Sequence, residues 1–232
     1  MLTNWLVSIG ILSKFRQYRS LPPMPRRARV SPDRILAAAA VEFAERGFGG
    51  ARVDRIARRA RVNKAMLYYY FKSKQGLYRT LLRRMFTLAG DRIRAIATGA
   101  GAPGEKLDRV IAGLAGLLRE NSALPAIMLR EIAESGAHLD PETLTALASV
   151  PRAFSLIIED GVAQGAFRPV HPVFAYFSTL APIVFYVAGT PIRKEITNLH
   201  LINLRALSPD QFVGHLQDAM HRSLACDVTP AP

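Results

Sequence analysis

Residues 52 to 74 carry the side chains best suited to chemistry in this chain, and that chemistry is the gripping of a polyanion. Arg52, Arg55, Arg58, Arg59, Arg61, Lys64, Lys72 and Lys74 supply cations, and Tyr68, Tyr69 and Tyr70 supply rings with a hydroxyl at the tip. Lys64, Ala65 and Met66 are the types that read a duplex edge: a lysine donates to guanine O6 and N7, and alanine and methionine touch thymine methyls. Arg52 and Lys74 are suited to phosphate oxygens, which fix register without specifying sequence. The surrounding charge agrees. Residues 1 to 95 contain 21 Lys+Arg against 5 Asp+Glu, and residues 96 to 232 contain 10 against 13. The first part is therefore +16 and the second −3, making the +13 of the whole chain. Counterion release from a nucleic acid would favour the first part alone.

Other chemistries find little support. The five histidines, His138, His171, His200, His215 and His221, include no pair at i, i+4, and there is one cysteine, Cys226, so no metal is expected. No Gly-x-Ser-x-Gly or cysteine–histidine context suggests a nucleophile. Gly99 to Gly104 lacks the lysine of a phosphate-binding loop, and Glu159 with Asp160 reads as a solvent-facing pair. No catalytic residue, cofactor or enzyme activity is expected. The lone cysteine excludes an intrachain disulfide and fits a reducing cytoplasm.

The elements that must position the basic cluster are short helices. Val53, Ile56, Ala57 and Ala60 fall at i, i+3, i+4 and i+7, the inward stripe of a two-turn helix. After a break at Arg61-Val62-Asn63, Asn63 is a good N-cap for a second short helix, whose Leu67 and Phe71 face inward. Two such helices across a tight turn make a helix-turn-helix, with the second sized for the major groove. Ser31-Pro32-Asp33 opens a preceding helix with Ile35, Ala39 and Phe43 inward, ended at Gly47 by the usual left-handed glycine. Phe48 is expected to pack beneath it.

The runs Ala44-Glu45-Arg46-Gly47-Phe48, Val53 to Ala60, and Leu67-Tyr68-Tyr69-Tyr70-Phe71-Lys72-Ser73-Lys74 resemble the DNA-binding domain of the tetracycline-repressor (TetR) family over about residues 31 to 80. The resemblance implies an all-α protein: an N-terminal three-helix helix-turn-helix domain and a C-terminal helical domain for effector binding and dimerisation. It implies that Tyr68 and Tyr69 reach base edges or phosphates and that Tyr70 and Lys74 hold the DNA backbone. It also implies a one-component transcriptional regulator, commonly a repressor, with no enzymatic role. There are departures. Arg61 stands where the family often has a left-handed glycine, at a cost of about 1 kcal/mol if the backbone is left-handed there. Ala51-Arg52 replaces the Ser/Thr helix start, and Ala65-Met66 replaces a Gly-Thr pair.

Residues 1 to 30 are expected to be an extension. The apolar run Leu2 to Leu12 lacks an upstream charge and a cleavage site, and it is too short to span a bilayer. Met24 is a candidate start, and Arg26 to Arg29 a candidate arm onto phosphates. Beyond the motif, Ser73-Lys74-Gln75 opens a long helix to about Ala97, with Leu77, Leu81, Leu82, Met85, Leu88 and Ile93 inward. Helices follow over Leu107 to Leu118, Leu124 to Glu134 and Pro141 to Gln164, the last with Pro151 inside as a kink or a junction. Pro169 to Ile192 carries no Lys, Arg, Asp or Glu for 24 residues, and reads as a helix buried in the core and against a second subunit. Residues 192 to 207 are ambiguous, and Ser208-Pro209-Asp210 opens a last helix.

The division expected is 31–80 for DNA binding, with the motif at about 52–71, and 81–232 for effector binding and dimerisation. The partners expected are a palindromic double-stranded operator, a second copy joined through helices of about 151–164 and 172–189, and a small hydrophobic effector. Met128, Phe154 and Tyr176 are candidate pocket residues. The rival reading is a membrane-associated or structural helical protein with a basic N-terminal region.

Overall fold

The computed structural model describes residues 31–202 and 208–226. Expectations for residues 1–30, including the Met24 start and the arginine arm, lie outside the described residues, as does part of the ambiguous stretch after Ile192. The described residues form ten helices and contain no strand.

Helix α1 (Pro32–Gly50) begins with a proline that needs no amide partner and an aspartate favourable to the helix dipole. Ile35, Ala39 and Phe43 are buried, as the spacing requires. Regular geometry breaks at Gly47, whose φ of 67° and ψ of 176° are open to glycine at little cost. Helix α2 (Val53–Ala60) buries Ile56, Ala57 and Ala60, and Val53 is half-buried. Arg61 then takes φ 54°, ψ 48°, so the arginine does occupy a left-handed position. Its amide and that of Val62 satisfy carbonyls at the end of α2. In α3 (Lys64–Phe71), the Asn63 side chain accepts from the Ala65 amide at 2.9 Å, and Leu67 and Phe71 are buried. The Ser73 hydroxyl accepts from the Gly76 amide at 2.9 Å and starts α4 (Lys74–Ala97).

Helix α4 packs on α1 and α3 at its start and on α7 along much of its length. Leu77, Leu81, Leu82 and Ile93 are buried as expected, but Met85 and Leu88 are only half-buried. Tyr78, Phe86, Ala89 and Gly90 take the inner face instead. The stripe is centred on Tyr78, Leu82, Phe86 and Ala89, which leaves Met85 and Leu88 at its edge.

Helices α5 (Pro103–Glu120), α6 (Ala123–Ala133), α7 (Pro141–Ala163), α8 (Pro172–Ala188), α9 (Thr190–Asn198) and α10 (Pro209–Leu224) complete the fold. Leu107, Val110, Ile111, Leu114, Leu117 and Leu118 of α5 are all buried, against α4, α7, α8 and α10. Pro151 lies inside one uninterrupted helix. The Ser208 hydroxyl and the Gln211 side chain cap α10 reciprocally.

Helix α8, expected to be buried in the core and against a second subunit, turns one face to the core of its own chain. It buries Ala175, Tyr176, Thr179 and Ile183 and leaves Phe174, Phe177 and Phe185 exposed. Helix α9 buries none of its residues. Among the described residues no single helix is long and apolar enough to cross a membrane; α8 and α9 reach that length only as a pair bent by 51°.

Candidate nucleic-acid interface

The leading turn of α3 faces outward because its inward positions are fixed. Leu67 and Phe71 anchor one side, and Lys64, Ala65 and Tyr68 are exposed on the other. Met66, Tyr69 and Tyr70 are half-buried. Tyr69 meets Tyr70 edge-on at 5.2 Å, and Tyr70 lies 6.1 Å from the Phe71 ring. Tyr68 thus projects freely, and Tyr69 and Tyr70 stand as a ring pair beside it.

Lys64 does not point at solvent alone. Its ammonium lies 2.8 Å from Asp54 Oδ1, and Arg52 approaches the same carboxylate at 4.0 Å. The hydrogen bond and charge of Lys64 hold Asp54 below the usual carboxylate range, and Asp54 in turn raises Lys64. Both partners are about half exposed, and such surface pairs contribute little and exchange readily for a better anion. Arg58 and Arg61 are exposed on the same motif and widen the basic face.

Lys74 is placed differently from the expectation of a phosphate contact. Its ammonium donates to the carbonyls of Phe48 at 2.8 Å and Ala51 at 3.2 Å, and sits 4.5 Å from the Phe48 ring centroid. The Phe48 carbonyl belongs to the last turn of α1 and the Ala51 carbonyl to the connection just after it, where no intrahelical donor remains. Arg130 of α6 does the same one turn earlier, donating to Phe43 and Ala44 carbonyls at 3.0 and 2.7 Å. Lys74 therefore braces the corner that carries α2.

Two features of this frame have no signature in the local sequence. Glu42 is buried in α1, and its Oε1 accepts from Arg55 Nε at 2.5 Å and from the Arg52 amide at 3.2 Å. Burial raises that carboxyl, but the bonds from Arg55 and Arg52 and the nearby charges outweigh it and leave it lowered. Gly76 allows α3 and α4 to approach: a Cβ there would stand 2.2 Å from the Phe71 carbonyl oxygen.

The candidate pocket residues differ in burial. Phe154 and Tyr176 are buried edge-to-face at 5.7 Å, and burial pushes the Tyr176 hydroxyl up to about 12. Met128 is half-buried on α6. Elsewhere an open apolar groove of about 400 Å³ runs between α8, α9 and α10, lined among others by Phe185, Ile192 and Phe212. In it Tyr186 stacks on Phe212 at 4.0 Å and lies under the Arg193 guanidinium at 4.0 Å.

Residues 35–81 match the model of bacterial regulatory proteins of the tetR family. The chain is 28% identical over 154 residues to the HTH-type transcriptional repressor NicS of Pseudomonas putida, covering 66% of this chain and 73% of that one. Residues 35–81 are therefore similar to the DNA-binding module of the TetR family. The fatty acid degradation regulator FadR of Bacillus halodurans has the same fold, with a TM-score of 0.68 at 19% identity over 87% of this chain and 97% of that one. So does FadR of Bacillus subtilis in complex with stearoyl-CoA, with a TM-score of 0.65 at 20% identity over 84% and 100%. The helix-turn-helix module and the relatives' names, HTH-type transcriptional repressor and HTH-type transcriptional regulator, support a DNA-binding transcriptional regulator. Regulators of the family bind DNA operators and small-molecule effectors and act as dimers.

Proposed function

We propose that this regulator is a cytoplasmic repressor that binds a palindromic operator as a homodimer and leaves it when a small hydrophobic effector binds. The observation that carries this reading is the leading turn of α3: Lys64, Ala65 and Tyr68 outward over a helix locked by Leu67 and Phe71. Lys64, Ala65 and Met66 meet base edges, Tyr68 and Tyr69 reach edges or phosphates, and Arg52 and Tyr70 contact the backbone. Lys74 acts by holding the corner behind them. Residues 31–80 form the DNA-binding domain and residues 81–232 the effector and dimerisation domain, with α4 running through both.

The second copy docks on α7 and α8, over residues 151–164 and 172–189, as a four-helix bundle with a two-fold axis. Exposed Leu156 on α7 and Phe174, Phe177 and Phe185 on α8 support this face. The effector enters among α5 to α8 near Met128, Phe154 and Tyr176, where an apolar lining suits an apolar molecule. The B. subtilis FadR structure, on the same fold, is in complex with stearoyl-CoA, whose acyl chain is apolar though its coenzyme A head is charged. Effector binding acts by favouring a spacing of the two α3 helices that fits the half-sites poorly, and only by its difference in affinity for the two states.

Selecting duplex fragments from the source genome with purified protein tests the reading. An inverted repeat should be recovered; a pool without a shared motif would overturn it. The rival, attachment of a helical protein to anionic membrane, predicts flotation with anionic liposomes, and the repressor reading predicts none.

A further inference from the structure

Three elements bring polar groups together where α6 ends. The Tyr78 hydroxyl of α4 donates to Glu131 Oε1 at 2.5 Å. His138 Nδ1 lies 2.9 Å from that oxygen and 3.3 Å from Glu134 Oε2. Glu131 is 2% exposed, and its second oxygen, Oε2, is buried and receives no hydrogen bond from the described residues. A buried carboxylate with an oxygen left over is costly without a cation. The neighbouring arginines are turned elsewhere: Arg130 to the Phe43 and Ala44 carbonyls, Arg79 to the His138 carbonyl and to Asp140.

We propose that Glu131, Glu134 and His138 bind one divalent transition-metal ion, with zinc as the type case. One ligand atom from each residue lies within 4.8 Å of the others. The two separations from His138 Nδ1, 2.9 and 3.3 Å, lie within a few tenths of an ångström of the roughly 3.0–3.5 Å between ligands held about 2.0–2.2 Å from a zinc ion. An imidazole with two carboxylates favours zinc, manganese, iron or nickel over calcium or magnesium, which take all-oxygen sites. Tyr78 orients the Glu131 carboxylate by donating to Oε1, as groups supporting a metal ligand do, and leaves Oε2 unpartnered for the ion. Burial first, and then the bond to Glu131, push its hydroxyl upward, so it stays a donor. The sequence carries the site as Glu-x-x-Glu-x-x-x-His, a pattern that a search for histidine pairs passes over. Left-handed backbone at Ser135 and Gly136 turns the chain after α6, ahead of His138.

The test is zinc titration of the full chain after chelator treatment, read by calorimetry, with cobalt absorption as a second probe. One ion per chain is expected. Glu134→Gln and His138→Asn should each weaken binding by more than the roughly 10–100-fold seen on losing a group that only supports a ligand. Glu134 is 46% exposed, so its substitution keeps the test independent of folding at His138. His221→Asn, which removes the separate exposed His221–Asp108 pair, should leave binding unchanged. Absence of stoichiometric binding, binding indifferent to both cluster variants, or binding lost only with His221→Asn would overturn the proposal.

Discussion

Lys64 and Lys74 open consecutive helices in the same basic segment, yet they live in opposite surroundings. Lys64 is about half exposed and pairs with an equally exposed aspartate. Lys74 is held by backbone carbonyls and an aromatic ring at the corner of α1, α2 and α4. The leading turn of α3 is therefore a surface free to exchange its partner for phosphate or base. The corner is a brace whose charge is already satisfied. A run of basic residues marks where nucleic acid binds, but packing decides which cations can reach it.

The sharpest way to break this contrast is to remove the brace at its most buried point. Arg55→Ala leaves Glu42 a buried, unpaired carboxylate. It should cost about 2–3 kcal/mol, toward the low side for buried pairs because Arg55 is partly exposed. Urea denaturation measures it, and a loss under about 0.5 kcal/mol would count against the brace. Acid sharpens the same point. Glu42 is lowered in the fold relative to its ordinary value of 4.5, so its contribution is complete above that value and disappears as pH falls through the depressed one. The wild-type advantage over Arg55→Ala should shrink over that acidic window, and an advantage that grew on acidification would reverse the sign.

Gly76→Ala comes next. The added methyl meets the Phe71 carbonyl, and relieving such overpacking costs about 1–3 kcal/mol. Because the adjustment moves α3 against α4, DNA affinity should fall further than stability alone explains.

Lys74→Ala should cost about 1.5–2 kcal/mol, the low end of the scale for hydrogen bonds to charged groups because Lys74 is only half-buried. It should weaken all duplexes alike and leave the salt slope of binding unchanged. Lys64→Ala should give the smallest thermal effect, with an unchanged Tm, but it should alter base preference. Anisotropy titrations over salt and sequence separate the two. Equal slopes and equal preferences in both variants would dissolve the distinction.

Much of the frame was legible because its signals are local. Pro32, Pro141 and Pro209, the caps Asn63, Ser73 and Ser208, and the inward Leu67–Phe71 pair each act within a turn or two of helix. What escaped depends on partners far along the chain. Nothing near Lys74 announces the Phe48 and Ala51 carbonyls, and Tyr78 finds Glu131 across 53 positions. The burial of Tyr78 and Phe86 in place of Met85 and Leu88 likewise follows from how α4 is rotated against its neighbours. In α8, an uncharged run reads as part interior and part interface, and the phenylalanines exposed on the single chain lie on the face assigned to a second copy.

The most direct measurement is an anisotropy titration of purified protein onto its recovered operator and onto a scrambled duplex of equal length, with stoichiometry read at saturation. The account predicts two chains per operator and a preference of at least about 1,000-fold at physiological salt, with most of that preference lost in a Lys64→Ala, Tyr68→Ala double variant. Equal affinity for both duplexes, or a preference untouched by the double variant, would contradict it.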